Sequence, residues 1–320
     1  MRASNPSLDL IGDTPLLPLT RLGAGLPVAV LAKHEHMNPG GSVKDRIARA
    51  IVEAAEADGR LSPGATIIEA TAGNTGVGLA LMCADRGYRL VCVMPEKMSL
   101  DKRLALRALG AEVVMTVNAP PSSPDHFQQV ARRMALEKNW FLADQFNNPA
   151  NPAVHEARTA AEILAQTGGV IGAFVAGAGT GGTITGVGRA LKRHDPSIRI
   201  VLADPAGSGL ASWVETGVLG PDGAYAVEGI GSSQPPANLD RSVLDAAVTI
   251  TDDESFETTR RLVQDEGLLV GGSSGTNVAA ALRVAAWPGL LGPVVTVLPD
   301  RLDRYMSKPW VAAWADQAAR

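Results

Sequence analysis

The sequence predicts an α/β protein built on helix-covered parallel sheets. Short apolar runs of strand length alternate with amphipathic runs of helical period along most of the chain. Several of the apolar runs end in a glycine-rich turn that opens directly into a helix, the arrangement that strand-helix-strand units require. The 320 residues are 46% hydrophobic and include 34 glycines, enough for one large core or two medium ones.

The entry segment IGDTPLLPL and the strand-like VAVLAKH come first. NPGGSVKDR (38–46) then turns at Gly40 and Gly41, offers Ser42 as a cap, and leads into a helix with Val43, Ile47, Ala50, Ile51 and Ala54 at helical spacing. Lys44 falls in the first helical turn. The helix dipole disfavours a cation there, so its amine is expected to lose a proton more readily than a surface lysine does. Further strands are expected at TIIEA (66–70), RLVCVMP (89–95), EVVMT (112–116), VIGAFVAG (170–177), IRIVLADP (198–205), AAVTIT (246–251) and PVVTVLP (293–299). Helical patterns such as GVGLALMCADRG, SLDKRLALRALG and TITGVGRALKRH separate them. NAPPSSPD (118–125) reads as a loop and QFNNPANP (145–152) as a crossover between two lobes. Residues 216–240 exceed an ordinary connection and are expected to form a functional loop.

A net charge of −4 and a pI of about 5.8 leave no basic field for nucleic acid or an anionic membrane. MRASNPSLDL lacks the apolar core of a secretory signal, and the run VIGAFVAGAGTGG is too broken by glycine to cross a bilayer. Cys83 and Cys92 read as small core residues, which fits a reducing cytoplasm. His34 and His36 are assigned to opposite sides of one strand; with His126, His155 and His194 isolated, no metal site is expected.

Three turns carry the chemistry. GAGTGGT (177–183) follows a strand and opens a helix, so its backbone N–H groups and the Thr180 and Thr183 hydroxyls form an anion cradle. Gly177, Gly179 and Gly182 also match a dinucleotide fingerprint, with Asp204 where a ribose-binding acid would sit, so a nicotinamide-dependent dehydrogenase is one reading and a packing turn another. ATAGNTG (70–76) is a second cradle, suited to a carboxylate through Thr71, Asn74 and Thr75, with Thr75 as a plain N-cap the simpler alternative. EGLLVGGSSGTN (266–277) brings Ser273 to a helix start, where an N-cap is the commonest fate of serine. Lys44 itself is either a solvated surface lysine or the amine of a Schiff base.

A phosphate cradle, a carboxylate cradle, a serine turn and a lysine in a glycine turn are together what a phosphorylated aldehyde bound to lysine needs. The chain here resembles the cysteine synthase and cystathionine β-synthase family, the fold-type II, tryptophan synthase β-like, pyridoxal-phosphate enzymes. The likeness rests on NPGGSVKDR, TAGNTG, PEKMS (95–99), QFNNPANP, GTGGT, VEGIG (227–231), EGLLVGGSSG and PDRLDRYMSK (299–308), in the family's order. It implies a large cofactor-binding lobe (1–48 plus 152–320) and a smaller mobile substrate-binding lobe (49–151). It further implies that Lys44 binds pyridoxal 5'-phosphate as an imine and is the catalytic base, that Asn74 contacts the ring hydroxyl, and that Gly179, Thr180, Gly181, Gly182 and Thr183 hold the phosphate. By the same resemblance Ser273 faces the ring nitrogen, and Thr71, Ala72, Gly73, Asn74, Thr75, Gln145 and Gly229 bind the substrate.

The expected activity is β-replacement on L-serine or an O-activated serine such as O-acetylserine, through an aminoacrylate. A sulfur nucleophile would give L-cysteine or L-cystathionine. A member using an amino-acid or nitrogen nucleophile, or a β-eliminase, is the alternative. A serine at the ring nitrogen should favour elimination over transamination. Ala72 stands where many relatives carry serine, and Ser232, Ser233 and Gln234 make the wall after VEGIG more polar than usual. Neither the haem-ligand extension nor a C-terminal regulatory module of the larger relatives is recognised, so their modes of control are not expected. A cytoplasmic homodimer acting on small amino acids is what the resemblance implies.

Overall fold

The structure, a computed structural model, describes residues 6–318 other than Ala72, Ser99 and Pro121, with side chains described as far as Trp314. Its strands are β1 (Leu16–Pro18), β2 (Val30–Lys33), β3 (Thr66–Ala70), β4 (Arg89–Pro95), β5 (Glu112–Thr116), β6 (Phe141–Leu142), β7 (Ala173–Ala176), β8 (Arg199–Pro205), β9 (Ala246–Ile250) and β10 (Val294–Val297). The helices are α1 (Lys44–Ala57), α2 (Asn74–Arg86), α3 (Leu100–Ala108), α4 (Phe127–Lys138), α5 (Ala150–Val154), α6 (Ala160–Thr167), α7 (Gly182–His194), α8 (Leu210–Thr216), α9 (Asp252–Gln264), α10 (Gly272–Ala285) and α11 (Pro309–Ala318). The strands expected at 66–70, 89–95 and 112–116 form over those same residues.

The chain divides into two compact units. One holds the described residues of Met1–Gly12 together with Asn38–Asn151; the other holds Asp13–Met37 and Pro152–Arg320. The sequence reading draws the smaller lobe as 49–151; the compact unit that contains those residues begins at Asn38 and also takes in the described residues of Met1–Gly12. Residues 38–48, expected with the larger lobe, pack in the smaller unit, because α1 is held there against α2. A Cβ at Gly78 would stand 2.9 Å from Ala48 Cβ and 3.0 Å from the Lys44 carbonyl, so only glycine permits the two helices to approach this closely.

The smaller unit carries a parallel four-stranded sheet in the order β5-β4-β3-β6. Ile68, Ala70, Val91 and Val93 on alternate positions of β3 and β4 pack on Ala131 and Ala135 of α4. The larger unit carries a six-stranded sheet, β1-β2-β10-β7-β8-β9, parallel except for β1 at one edge. Alternation divides its residues between two cores. Ala173, Val175, Val201 and Ala203 join Val278 and Ala281 of α10, while Phe174, Ala176, Ile200 and Leu202 join Ile184 and Val187 of α7. A sheet buried on both faces explains the continuous apolar runs of the sequence.

His34 and His36 correct an expectation. Residues two apart on a strand share a face, and the chain in any case leaves β2 at Lys33 for a 3-10 turn over Glu35–Met37. Their rings lie 5.1 Å apart. Among the described residues no group of three or more metal-ligating side chains occurs, and no helix is long and apolar enough to cross a membrane.

Candidate active site

In the smaller unit Lys44 is the first residue of α1. The N-cap is Val43, not the Ser42 expected, and it makes no side-chain cap bond; Ser42 Oγ, one residue earlier, accepts from the Lys44 backbone N–H at 3.2 Å. The Gly40 N–H donates to Asp45 Oδ2 at 2.5 Å, and a Cβ on Gly40 would strike that carboxylate at 2.4 Å. Gly41 adopts the left-handed φ of 77°. The turn before Lys44 is thus built from two glycines that each meet a different constraint.

The second cradle lies at the end of β3. Gly73 is the N-cap of α2, and its N–H donates to Thr71 Oγ1 at 3.2 Å. Thr75 is not a cap. Its hydroxyl donates to Gln145 Oε1 at 2.6 Å, and both side chains are buried. The Gln145 carbonyl in turn accepts from Asn151 Nδ2 at 2.8 Å. Asn74 opens α2 beside Gly73. Ala72 lies outside the described residues. Lys44, Thr71, Gly73, Asn74, Thr75 and Gln145 are therefore carried by a single compact unit.

The larger unit carries the rest. The turn 177–181 joins β7 to α7, whose N-cap Gly181 is left-handed at φ 82°. The first N–H groups of α7, from Gly182 and Thr183 on, have no intrahelical acceptor, and the dipole is positive at this end. Thr180 is buried, and Thr183 Oγ1 lies 3.2 Å from His155 Nε2. His155, read from sequence as isolated, sits in a π-helical turn over His155–Thr159 with its Nδ1 2.9 Å from Thr159 Oγ1.

The loop 227–231 is locked to this turn. The Gly231 N–H donates to the Ala178 carbonyl at 2.9 Å, and a Cβ on Gly179 would stand 2.1 Å from the Gly229 carbonyl oxygen. Asn277 ties in α10, accepting from the Gly177 N–H at 2.7 Å and donating to the Val297 carbonyl at 2.9 Å. Ser273, buried, is the second residue of α10; Gly271, not Ser273, is its N-cap. Asn277 was not singled out in the sequence, although an asparagine in an apolar helix was its signal. Lys308 pairs with Glu228, joining PDRLDRYMSK to VEGIG.

Burial sets the ionisation of several groups. The Glu69 carboxyl, enclosed on β3 and close to Asp144, is pushed up to about 8. Asp204 is raised to about 6 by burial. Burial also raises the Cys83 thiol to about 12 and moves Cys92 upward, so neither free cysteine is a ready nucleophile.

The model of the family described as "pyridoxal-phosphate dependent enzyme" matches residues 8–300. This chain belongs to that family. It is 48% identical over 305 residues to cystathionine beta-synthase of Oryctolagus cuniculus, covering 94% of this chain and 55% of the relative. Cystathionine beta-synthase of Apis mellifera is 46% identical over 312 residues, covering 94% of this chain and 60% of the relative. The chain thus spans little more than half the length of these relatives. Among solved structures, O-ureido-L-serine synthase superposes with a TM-score of 0.87 at 38% identity, covering 98% of this chain and 99% of the other. A mutant of that synthase bound to O-ureido-L-serine gives 0.86, also at 38% identity, with 99% of each chain covered.

The residues present fit pyridoxal phosphate, the cofactor of this family. The glycine turn at a helix start suits its phosphate, and Ser273 offers a hydroxyl rather than a carboxylate. Gly73 and Gly229, both expected at the substrate, have no atom within 4 Å of where a Cβ would stand. The dehydrogenase reading loses its ribose acid. Asp204 is buried, and its Oδ2 accepts the Ala211 N–H at 2.8 Å in the first turn of α8.

Proposed function

We propose that this chain catalyses β-replacement on L-serine or an O-activated serine with a sulfur nucleophile, giving L-cysteine from sulfide or L-cystathionine from homocysteine. The observation that carries the proposal is Lys44 at the head of α1 in the same compact unit as Thr71, Gly73, Asn74, Thr75 and Gln145. Bound pyridoxal phosphate supplies an electron sink that acidifies the substrate α-carbon.

The chain's residues do the rest. Gly179, Thr180, Gly181, Gly182 and Thr183 would hold the phosphate, and Asn74 the ring hydroxyl. Thr71, Gly73, Thr75 and Gln145 grip the substrate carboxylate and exclude water, with Gly229 leaving room beside the substrate. The Lys44 amine takes the α-proton and later returns it. Ser273 would offer the ring nitrogen a hydroxyl, which would not hold a proton there as a carboxylate would and so would favour loss of the β-substituent over transamination.

A non-sulfur acceptor is the second reading, favoured by the likeness to O-ureido-L-serine synthase over nearly the full length of both chains. Mass spectrometry of products from serine or O-acetylserine, each paired with sulfide, homocysteine, thiosulfate or hydroxyurea, tests both. Borohydride should fix a phosphopyridoxyl group on Lys44, and Lys44→Ala should abolish turnover while keeping the fold. Turnover at the parent rate in that variant would overturn the assignment.

A further inference from the structure

His155 is 1% exposed and opens the π-helical turn that interrupts an otherwise α-helical run from Ala150 to Thr167. Such turns are rare and often mark functional sites. This one is seated on α7. A Cβ on Gly186 would stand 2.2 Å from the Pro152 carbonyl oxygen and 2.8 Å from His155 Cβ, so only glycine admits the turn this closely. Thr183 lies on the same face of α7, one turn nearer the helix start, and the imidazole reaches it there. Both ring nitrogens are engaged: Nδ1 lies 2.9 Å from Thr159 Oγ1, and Nε2 lies 3.2 Å from Thr183 Oγ1. Thr159 is fully buried, whereas Thr183 is half-buried at the glycine turn.

We propose that His155 is a positioning residue of the phosphate cradle, acting through Thr183: the Thr159–His155 pair holds the Thr183 hydroxyl with its proton turned toward the cofactor phosphate. The inference rests on the reading of 177–183 as that cradle. A hydroxyl has one proton to give, and a phosphate oxygen without protons can only accept. A Thr183 hydroxyl that donates to the phosphate must therefore accept from His155 Nε2. A neutral imidazole protonated at Nε2 accepts at Nδ1, and the Thr159 hydroxyl is the donor there. All three bonds then run in one direction, from the buried core to the anion. Without the imidazole the Thr183 proton turns to other acceptors, and the phosphate loses a bond that was oriented in advance.

A double-mutant cycle on cofactor affinity tests this, with the Kd of pyridoxal phosphate read from absorbance titrations of the full-length protein. His155→Leu should raise Kd about tenfold, the size of one hydrogen bond to a charged group. In a Thr183→Val background the same change should move Kd by less than about twofold, because the group it acts through is gone. His155→Gln, whose amide nitrogen can stand in for Nε2 as donor, should return Kd to within about threefold of the parent. Nitrogen-15 NMR of the holoenzyme should find a proton on His155 Nε2. Where His155→Leu does not fold, Thr159→Val takes its place in the cycle, with a rise of about threefold expected from the loss of the donor to Nδ1. Equal penalties with and without the Thr183 hydroxyl, or an unprotonated Nε2, overturn the role of His155 alone. If Thr183→Val binds the cofactor as tightly as the parent, the reading of Thr183 as part of the cradle falls and this inference with it.

Discussion

Replacing Gly179 by alanine probes how the phosphate turn is built. The new Cβ would stand 2.1 Å from the Gly229 carbonyl oxygen, about 1 Å inside ordinary contact. Gly179 is not among the glycines of positive φ, so the constraint is space rather than dihedral strain. The turn and the 227–231 loop cannot simply part, because the Gly231 N–H to Ala178 carbonyl bond at 2.9 Å joins them. Overpacking of this kind costs about 1–3 kcal/mol, and losing that hydrogen bond adds about 1 kcal/mol. The sum is roughly 2–4 kcal/mol, equivalent to a drop of about 4–16 °C in Tm for a unit of this size. Calorimetry of the apoprotein reads the stability, and titration with pyridoxal phosphate reads the cradle; affinity should fall with stability. A variant that melts with the parent and binds the cofactor as tightly would refute the close approach of the two loops.

Other outcomes follow from the same structure. Gly73→Ala, with open space around its Cβ and φ −138°, should change stability by less than about 0.5 kcal/mol yet raise KM for the amino-acid donor; an unchanged KM would remove Gly73 from the substrate grip. Lys33→Met deletes a fully buried ammonium that bonds Glu162 at 2.7 Å, the Thr14 carbonyl at 2.6 Å and Gln166 at 2.9 Å, and should cost about 3 kcal/mol in urea unfolding, whereas a loss below about 1 kcal/mol would contradict the network. Burial holds the His36 imidazole down at about 4 against an ordinary 6.5, so the folded state binds fewer protons and stability is lost as pH falls from 6.5 through 4. Denaturation at stepped pH should show His36→Asn flattening that slope by about 1–2 kcal/mol, allowing for the partial exposure of the ring; parallel curves would reject it.

What was legible in the sequence followed local physics. Strand runs and glycine turns depend on near neighbours, and the strands at 66–70, 89–95 and 112–116 form over the residues the pattern gives, while those near 30, 173 and 294 are shorter than their apolar runs. What was not legible depends on distant partners. Thr75 reads as a cap, but its hydroxyl goes to Gln145, seventy residues on, and no local pattern announces that. The two-residue strand β6 is shorter than any periodicity can reveal. Residues 38–48 pack in the smaller compact unit through an α1–α2 contact that depends on the missing side chain of Gly78, a contact between separate elements. The polar residue inside TIIEA is visible in the sequence, and its raised carboxyl pKa appears only when the fold buries it.

The proposed sulfur acceptor can be tested on the segment after VEGIG. Read from sequence, Ser232, Ser233 and Gln234 form a polar wall, but the Ser232 hydroxyl donates to the Gln234 carbonyl at 2.6 Å and accepts the Gln234 N–H at 3.2 Å, while its own carbonyl accepts from Ser208 Oγ and the Gly209 N–H. The polarity of Ser232 is used to shape the loop, and of the three it is Ser233 and Gln234 whose side chains are exposed. Sulfide is too small to need contacts from such side chains, whereas homocysteine carries a polar end that must be recognised. Gln234→Leu should therefore raise KM for homocysteine by about fivefold, the loss of roughly one hydrogen bond, and leave KM for sulfide and for the donor unchanged. Equal changes for both acceptors would mean that this loop does not select the nucleophile, and selection would have to lie elsewhere in the chain.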